Sequence, residues 1–167
     1  MGVKNKILSI LFSSVAVLSI AQSKTTHHGS TRDSQVHGYW VDPSTGLMWT
    51  GRDNERDVSW KKATNYCRDL RLAGYSDWRL ATIAELEGIY DKNANAPGLD
   101  GQGVSTWHVK GNLFLTGREW SSERRMDDRG RPSGYAWYFN FNEGETNNDQ
   151  IGYSAVKRAL CVRGSEE

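Results

Sequence analysis

The sequence predicts a single α+β domain, and three observations carry that reading. A strand-turn-strand pattern opens at 39–49, two short amphipathic helices follow within 59–89, and the last third alternates with the period of antiparallel strands. In the first element, Tyr39-Trp40-Val41 and Leu47-Met48-Trp49 flank Asp42-Pro43-Ser44-Thr45-Gly46. Proline presets φ, aspartate bonds forward to the backbone and glycine permits positive φ, so these residues spell a hairpin turn. In the second element, Ser59 stands at an N-cap, and Trp60, Ala63, Cys67 and Leu70 share one helical face opposite Lys61, Lys62, Arg68 and Asp69. Gly74 occupies the place expected of a helix C′ residue. A second helix opens with Thr82-Ile83-Ala84-Glu85, a capping box, and runs through Leu86 and Ile89. The stretch 91–117 is rich in Asn and Gly and reads as a long ordered loop region. From Glu119 the pattern is strand-like, with Trp137, Phe139 and Phe141 alternating and 153–162 closing the chain.

The first residues read as an address. Lys4 and Lys6 form a positive start, 7–20 an apolar stretch interrupted by serines, and Ser19-Ile20-Ala21 a small-x-small cleavage site, so 1–21 is expected to be a signal peptide. About 14 apolar-leaning residues fall short of the roughly 20 that span a bilayer, and no cysteine follows the cleavage site to take a lipid. No transmembrane anchor is expected after cleavage. Removing 21 residues from 167 leaves 146, enough for one domain with a real core. Within it, 22–38 is polar and reads as a flexible leader, and 39–164 as the folded domain; His27 and His28 lie in the leader with no further ligand at metal-site spacing. The formal charge of +1 loses Lys4 and Lys6, leaving about −1, which gives no footprint for nucleic acid. All seven tryptophans and seven tyrosines follow the cleavage site, so the core is expected to be built on aromatics. Cys67 and Cys161 are the only cysteines. In an exported domain they are expected to form a disulfide, with two free buried thiols as the alternative.

Five phrases in order, DPSTGLMW (42–49), SWKKATNYCRDL (59–70), GYSDWRLATIAEL (74–86), EWSS (119–122) and KRALCVRG (157–164), resemble the Lcl C-terminal domain family of bacterial collagen-like adhesins. The family commonly has Pro where this chain has Ala81, and the charged insert 123–133 is a further departure. The resemblance implies a C-type-lectin-like fold: two short helices packed on small antiparallel sheets with long loops, the first and last strands adjacent, and a loop region carrying the binding surface. In that topology the first helix lies against the final strand, where Cys67 and Cys161 would meet. By the same resemblance the protein is expected to be an exported binding module for carbohydrate or protein at the periplasm or cell surface, with an envelope structural or protein-interaction domain without sugar specificity as the alternative and a divergent enzyme as a third reading. Formylglycine-generating enzymes, a related class on a similar fold, use a cysteine pair for chemistry, whereas here the only pair fits a cross-link.

Candidate sites are few. Arg118, Arg124, Arg125, Arg129 and Arg131 place five guanidinium groups within fourteen residues, and such clusters hold sulfate or phosphate groups. Glu119, Glu123, Asp127 and Asp128 are interleaved, so self-neutralisation in a mobile loop is the competing reading. Trp107, Tyr135 and Tyr138 are candidate sugar-stacking aromatics, against the alternative that most of them belong to the core. Glu143, Glu145, Asn147 and Asp149 supply hard oxygen ligands that suit Ca²⁺, against the alternative of a solvated hairpin loop; the Glu-Pro-Asn and Trp-Asn-Asp tripeptides of calcium lectins are absent, and no cofactor is expected. Trp60 and Trp78 are expected to be structural, Asp77 and Arg79 to fix the helix-linking phrase, and Trp120-Ser121-Ser122 to form a core strand. No nucleophile elbow, His-Glu-x-x-His or phosphate loop occurs, and His108 has no acid partner by spacing, so no enzymatic activity is expected.

Overall fold

A computed structural model describes residues 1–2, 38–100 and 103–164. Nearly all of the expected signal peptide and leader, including His27 and His28, lies outside the described residues. Among the described residues no helix is long and apolar enough to cross a membrane.

The architecture is α+β, with two short helices and three small sheets. Strands β1 (Tyr39–Val41) and β2 (Met48–Thr50) form the expected opening hairpin. Its turn is tied by Asp42, whose Oδ1 accepts from the backbone N–H and hydroxyl of Ser44 and whose Oδ2 accepts from the Thr45 hydroxyl. Gly46 closes it at φ 73°, a left-handed conformation that side chains with a Cβ resist. Helix α1 (Trp60–Asp69) buries Ala63 and Cys67 on its inner face. Ser59 is its N-cap by backbone conformation, but its side chain makes no capping bond; the Trp60 N–H is instead taken by the Ile151 carbonyl. Gly74, expected to end this helix, sits four residues beyond the Leu70 C-cap and belongs to a separate tight turn between Leu72 and Tyr75.

Strand β3 (Arg79–Leu80) leads into α2 (Ile83–Gly88), where Thr82 and Glu85 form the complete capping box. The expected loop region contains regular structure: β4 (Ala96–Asp100) and β5 (Gly103–Trp107) pair antiparallel, and a 3₁₀ turn occupies Lys110–Asn112. A β-rich section follows: β6 (Arg118–Met126), β7 (Pro132–Asn140), β8 (Glu145–Gln150), β9 (Lys157–Arg158) and β10 (Cys161–Arg163). Pairing is antiparallel except between β6 and β9, which run parallel.

One sheet has the order β1-β2-β10-β3 and another β8-β7-β6-β9. The last strand therefore pairs with β2 and not with β1, correcting the expectation that first and last strands are neighbours. Strand alternation divides the interior into two cores. Ala136, Tyr138, Ala159 and Cys161 face a core shared with α1, Trp78 and Trp120, whereas Phe139, Phe141, Leu160 and Val162 face a second core with Trp49, Leu86 and Leu113. Cys67 of α1 and Cys161 of β10 are joined in a fully buried disulfide, with Cα atoms 5.4 Å apart.

Candidate functional site

The charged insert 123–133, expected to be a mobile loop, is the outer half of the β6–β7 hairpin. Arg124 stands opposite Ala136 and Met126 opposite Pro132, with register irregularities that twist the ribbon. Asp127 organises the turn, accepting from the backbone N–H groups of Arg129 and Arg131, each at 2.9 Å, and from the Arg131 guanidinium at 3.0 Å. These donors, the Arg131 N–H foremost, hold the Asp127 carboxyl below its ordinary range. Arg124 is a packing residue: its guanidinium lies 5.8 Å from the Trp60 ring centroid and donates to the Ser133 carbonyl. Arg125 and Arg129 are exposed and form no ion pair among the described residues. Arg118, at the other end of β6, lines a different pocket. The five arginines thus fall in four different settings and form no single anion site.

An apolar trough of about 550 Å³ runs beside this hairpin. Trp60, Trp137, Ile83 and Met126 supply its apolar walls, with Glu123 and Arg124 at its polar edge. Glu123 is fixed there because its Oε2 accepts from the Ile83 N–H at 3.0 Å, at the start of α2. Trp60 is fixed through its indole N–H, which donates to the Ser121 carbonyl at 2.8 Å. Along β7, Tyr135, Trp137 and Phe139 share a face by alternation. Their exposure falls inward: Tyr135 is 38% exposed, Trp137 half-buried and Phe139 2% exposed. Directly opposite in the ladder stand Gln150, Asn148 and Thr146 of β8. An aromatic row is thereby edged by side-chain amides, which donate and accept hydrogen bonds together. The alternation of the aromatics was legible in the sequence; the β8 amides beside them were not, because only the register aligns them.

Other candidates are placed differently. Trp107, expected to be exposed, keeps 2% of its surface, and Tyr138 keeps 9%, so neither presents a ring face to solvent. Glu145, Asn147 and Asp149 lie on the opposite face of β8 from the amides, across from Asn140, Tyr138 and Ala136. Asp149 pairs at 3.2 Å with Lys157 Nζ, which is itself enclosed by the rings of Tyr138, Tyr153 and Trp120 at 4.1, 5.0 and 5.6 Å. Glu143 accepts from the Asn140 amide at 2.6 Å in the turn before β8. The expected oxygen ligands are therefore dispersed, and among the described residues no three His, Cys, Asp or Glu side chains gather as a metal-binding group. His108 engages the Ala94 carbonyl through Nδ1. Asp77 pairs with the distant Arg163 and Arg79 with Glu85 of the following helix, so the helix-linking phrase is fixed by partners outside it rather than by a pair within itself.

Beneath the sheet lies a pair of acids that the sequence did not single out. Asp53 is 2% exposed and accepts from the Thr116 N–H and hydroxyl, while Glu119 is fully buried, with only the Leu160 N–H and the Arg158 charge nearby to favour its ionised form. Two carboxylates only accept; a proton on Glu119 lets it donate to Asp53. Burial first, and the charge of Asp53 second, push the Glu119 carboxyl well above its ordinary 4.5. The folded state therefore holds a proton that the unfolded state releases above about pH 4.5, and stability falls as pH rises from there towards the raised value. Glu119→Gln, which keeps the size and a donor, should raise the melting temperature at about pH 8 and leave it little changed at about pH 4. An equal effect at both values would show that the folded state holds no extra proton on Glu119.

No curated protein matches the sequence. A family model described as the Lcl C-terminal domain matches residues 38–163. That span runs from the glycine before β1 to the last residue of β10 and takes in both helices, both halves of the disulfide and the trough. The chain belongs to the Lcl C-terminal domain family.

Proposed function

We propose that this protein is an exported, non-enzymatic binding module of C-type-lectin-like fold that recognises carbohydrate at the cell envelope through the aromatic row of β7 and its adjoining trough. The observation that carries this reading is the graded exposure of Tyr135 and Trp137 beside Asn148 and Gln150. A pyranose ring has an apolar C–H face and equatorial hydroxyls. Half-exposed aromatic rings cover the first, and neighbouring amides satisfy the second. Arg125 and Arg129, on the hairpin that continues from the trough, add cationic groups without ion-pair partners among the described residues and favour a sulfated or carboxylated glycan.

The test is a glycan array probed with and without calcium. Selective retention that weakens with salt supports an anionic glycan. Silence across the array in both conditions overturns the sugar reading and favours a protein partner on the same trough, for which Met126, 55% exposed, supplies apolar surface.

A further inference from the structure

A second pocket, of about 440 Å³, shares no lining residue with the trough. It lies where the start of β6 and the turn between β7 and β8 approach Trp107, and its size is in the range of small-molecule sites. Arg118 lines it with no ion pair or side-chain hydrogen bond among the described residues. Trp107, 2% exposed, lines it too and leaves its indole N–H without a partner. Both are donors that nothing in the described protein satisfies, and a carboxylate is the group such donors take.

Acceptors are fixed alongside. Glu143 accepts from the side-chain amide of Asn140 through Oε2 and leaves Oε1 open. Asn140 is 4% exposed and is held in turn by the Asn142 N–H on its Oδ1 at 3.1 Å, so the pair is preorganised. The turn cannot relax outward from its support, because Gly144 at φ 70° packs its Cα so closely on Tyr90 that a Cβ would lie 2.6 Å from the ring. A further wall residue, Val156, is β-branched and held at φ 54°, a conformation that costs energy and persists at sites built for a purpose.

One guanidinium, Arg118, and two carboxylates, Asp100 and Glu143, line a small-molecule-sized space. An anionic ligand alone would meet the two carboxylates, and a purely cationic one would leave Arg118 without a counter-charge. We propose that this pocket binds a free α-amino acid, its α-carboxylate on Arg118 with the Trp107 N–H and its α-ammonium on Glu143. The site is separate from the glycan reading and stands if that reading fails.

The experiment is calorimetric titration of the full chain with the standard free L-amino acids at millimolar concentration. Each one that binds is then repeated as its N-acetyl and carboxamide derivatives and against Arg118→Gln and Glu143→Gln. At least one amino acid should bind, and each derivative and each variant should weaken it by about tenfold or more, as expected for losing one charged hydrogen-bonded contact. Melting curves of the two variants should match the wild type, since both side chains reach the pocket from the surface of the fold. No binding by any amino acid would overturn the proposal. So would equal binding of the N-acetyl form, which would mark a site for anions alone, or variants that bind as the wild type does.

Discussion

Opening the Cys67–Cys161 disulfide should cost about 4–5 kcal/mol, one of the two largest losses any change in this domain would cause. The bond closes a span of 94 residues, so in the chain-entropy account it removes much of the conformational freedom of the unfolded state. It also fastens α1 to β10, the strand that lies between β2 and β3 and feeds both cores. Double replacement of Cys67 and Cys161 by Ser should lower the unfolding free energy by that amount, read as the drop in denaturant midpoint multiplied by m, against the oxidised wild type. Non-reducing peptide mapping should find one peptide joining the two cysteines. An unchanged midpoint, or quantitative alkylation of both thiols without reductant, would contradict the cross-link's role.

Trp120→Ala should cost about 3–5 kcal/mol, the range for emptying a fully buried aromatic site. Trp120 is 0% exposed, donates its indole N–H to the Val58 carbonyl at 2.9 Å and meets the Tyr138 ring edge-on. The truncation would also remove one wall of the ring enclosure around Lys157, whose ammonium burial already disfavours. Trp78→Ala, at 2% exposure, belongs in the same range, whereas Trp60→Ala should cost less because its ring is half-buried at the trough. Urea denaturation of the three variants orders them. A Trp120→Ala protein as stable as Trp60→Ala would mean that the inner core repacks around the gap.

The local elements were legible because their signals are local. The capping box at Thr82 and Glu85, the Asp42 to Gly46 turn and the inner face of α1 each follow from residues within a few positions of one another. The Gly74 expectation failed because Leu70 leaves the helix in an extended conformation before the glycine is reached. The 123–133 insert was misread because its charges alternate on a ribbon with few buried residues, so no apolar period marks it as strand. Strands β4 and β5 were missed for the same reason, with Pro97, Gly98 and Gly103 breaking the pattern further.

The site was less legible than the fold because it is assembled by register. Tyr135 and Arg125 were visible as candidates, but the amides of Asn148 and Gln150 become neighbours of Trp137 and Tyr135 only across the β7–β8 ladder. Arg118 and Arg124 looked equivalent in sequence; one lines a pocket and the other packs on Trp60. Asp53 and Glu119 are far apart in the chain, and the Glu-Trp-Ser-Ser phrase gives no sign that its first residue is buried against another acid.

The most direct test of the carbohydrate reading is heparin chromatography of the wild type beside Trp137→Ala and the double variant Arg125→Glu with Arg129→Glu. The Arg125→Glu, Arg129→Glu variant should melt within about 0.5 kcal/mol of the wild type, and Trp137→Ala should lose more because its ring is half-buried. The account expects the wild type to be retained and both variants to elute at clearly lower salt. Wild type that elutes at negligible salt, or variants that elute with it, would contradict the assignment of glycan binding to this face.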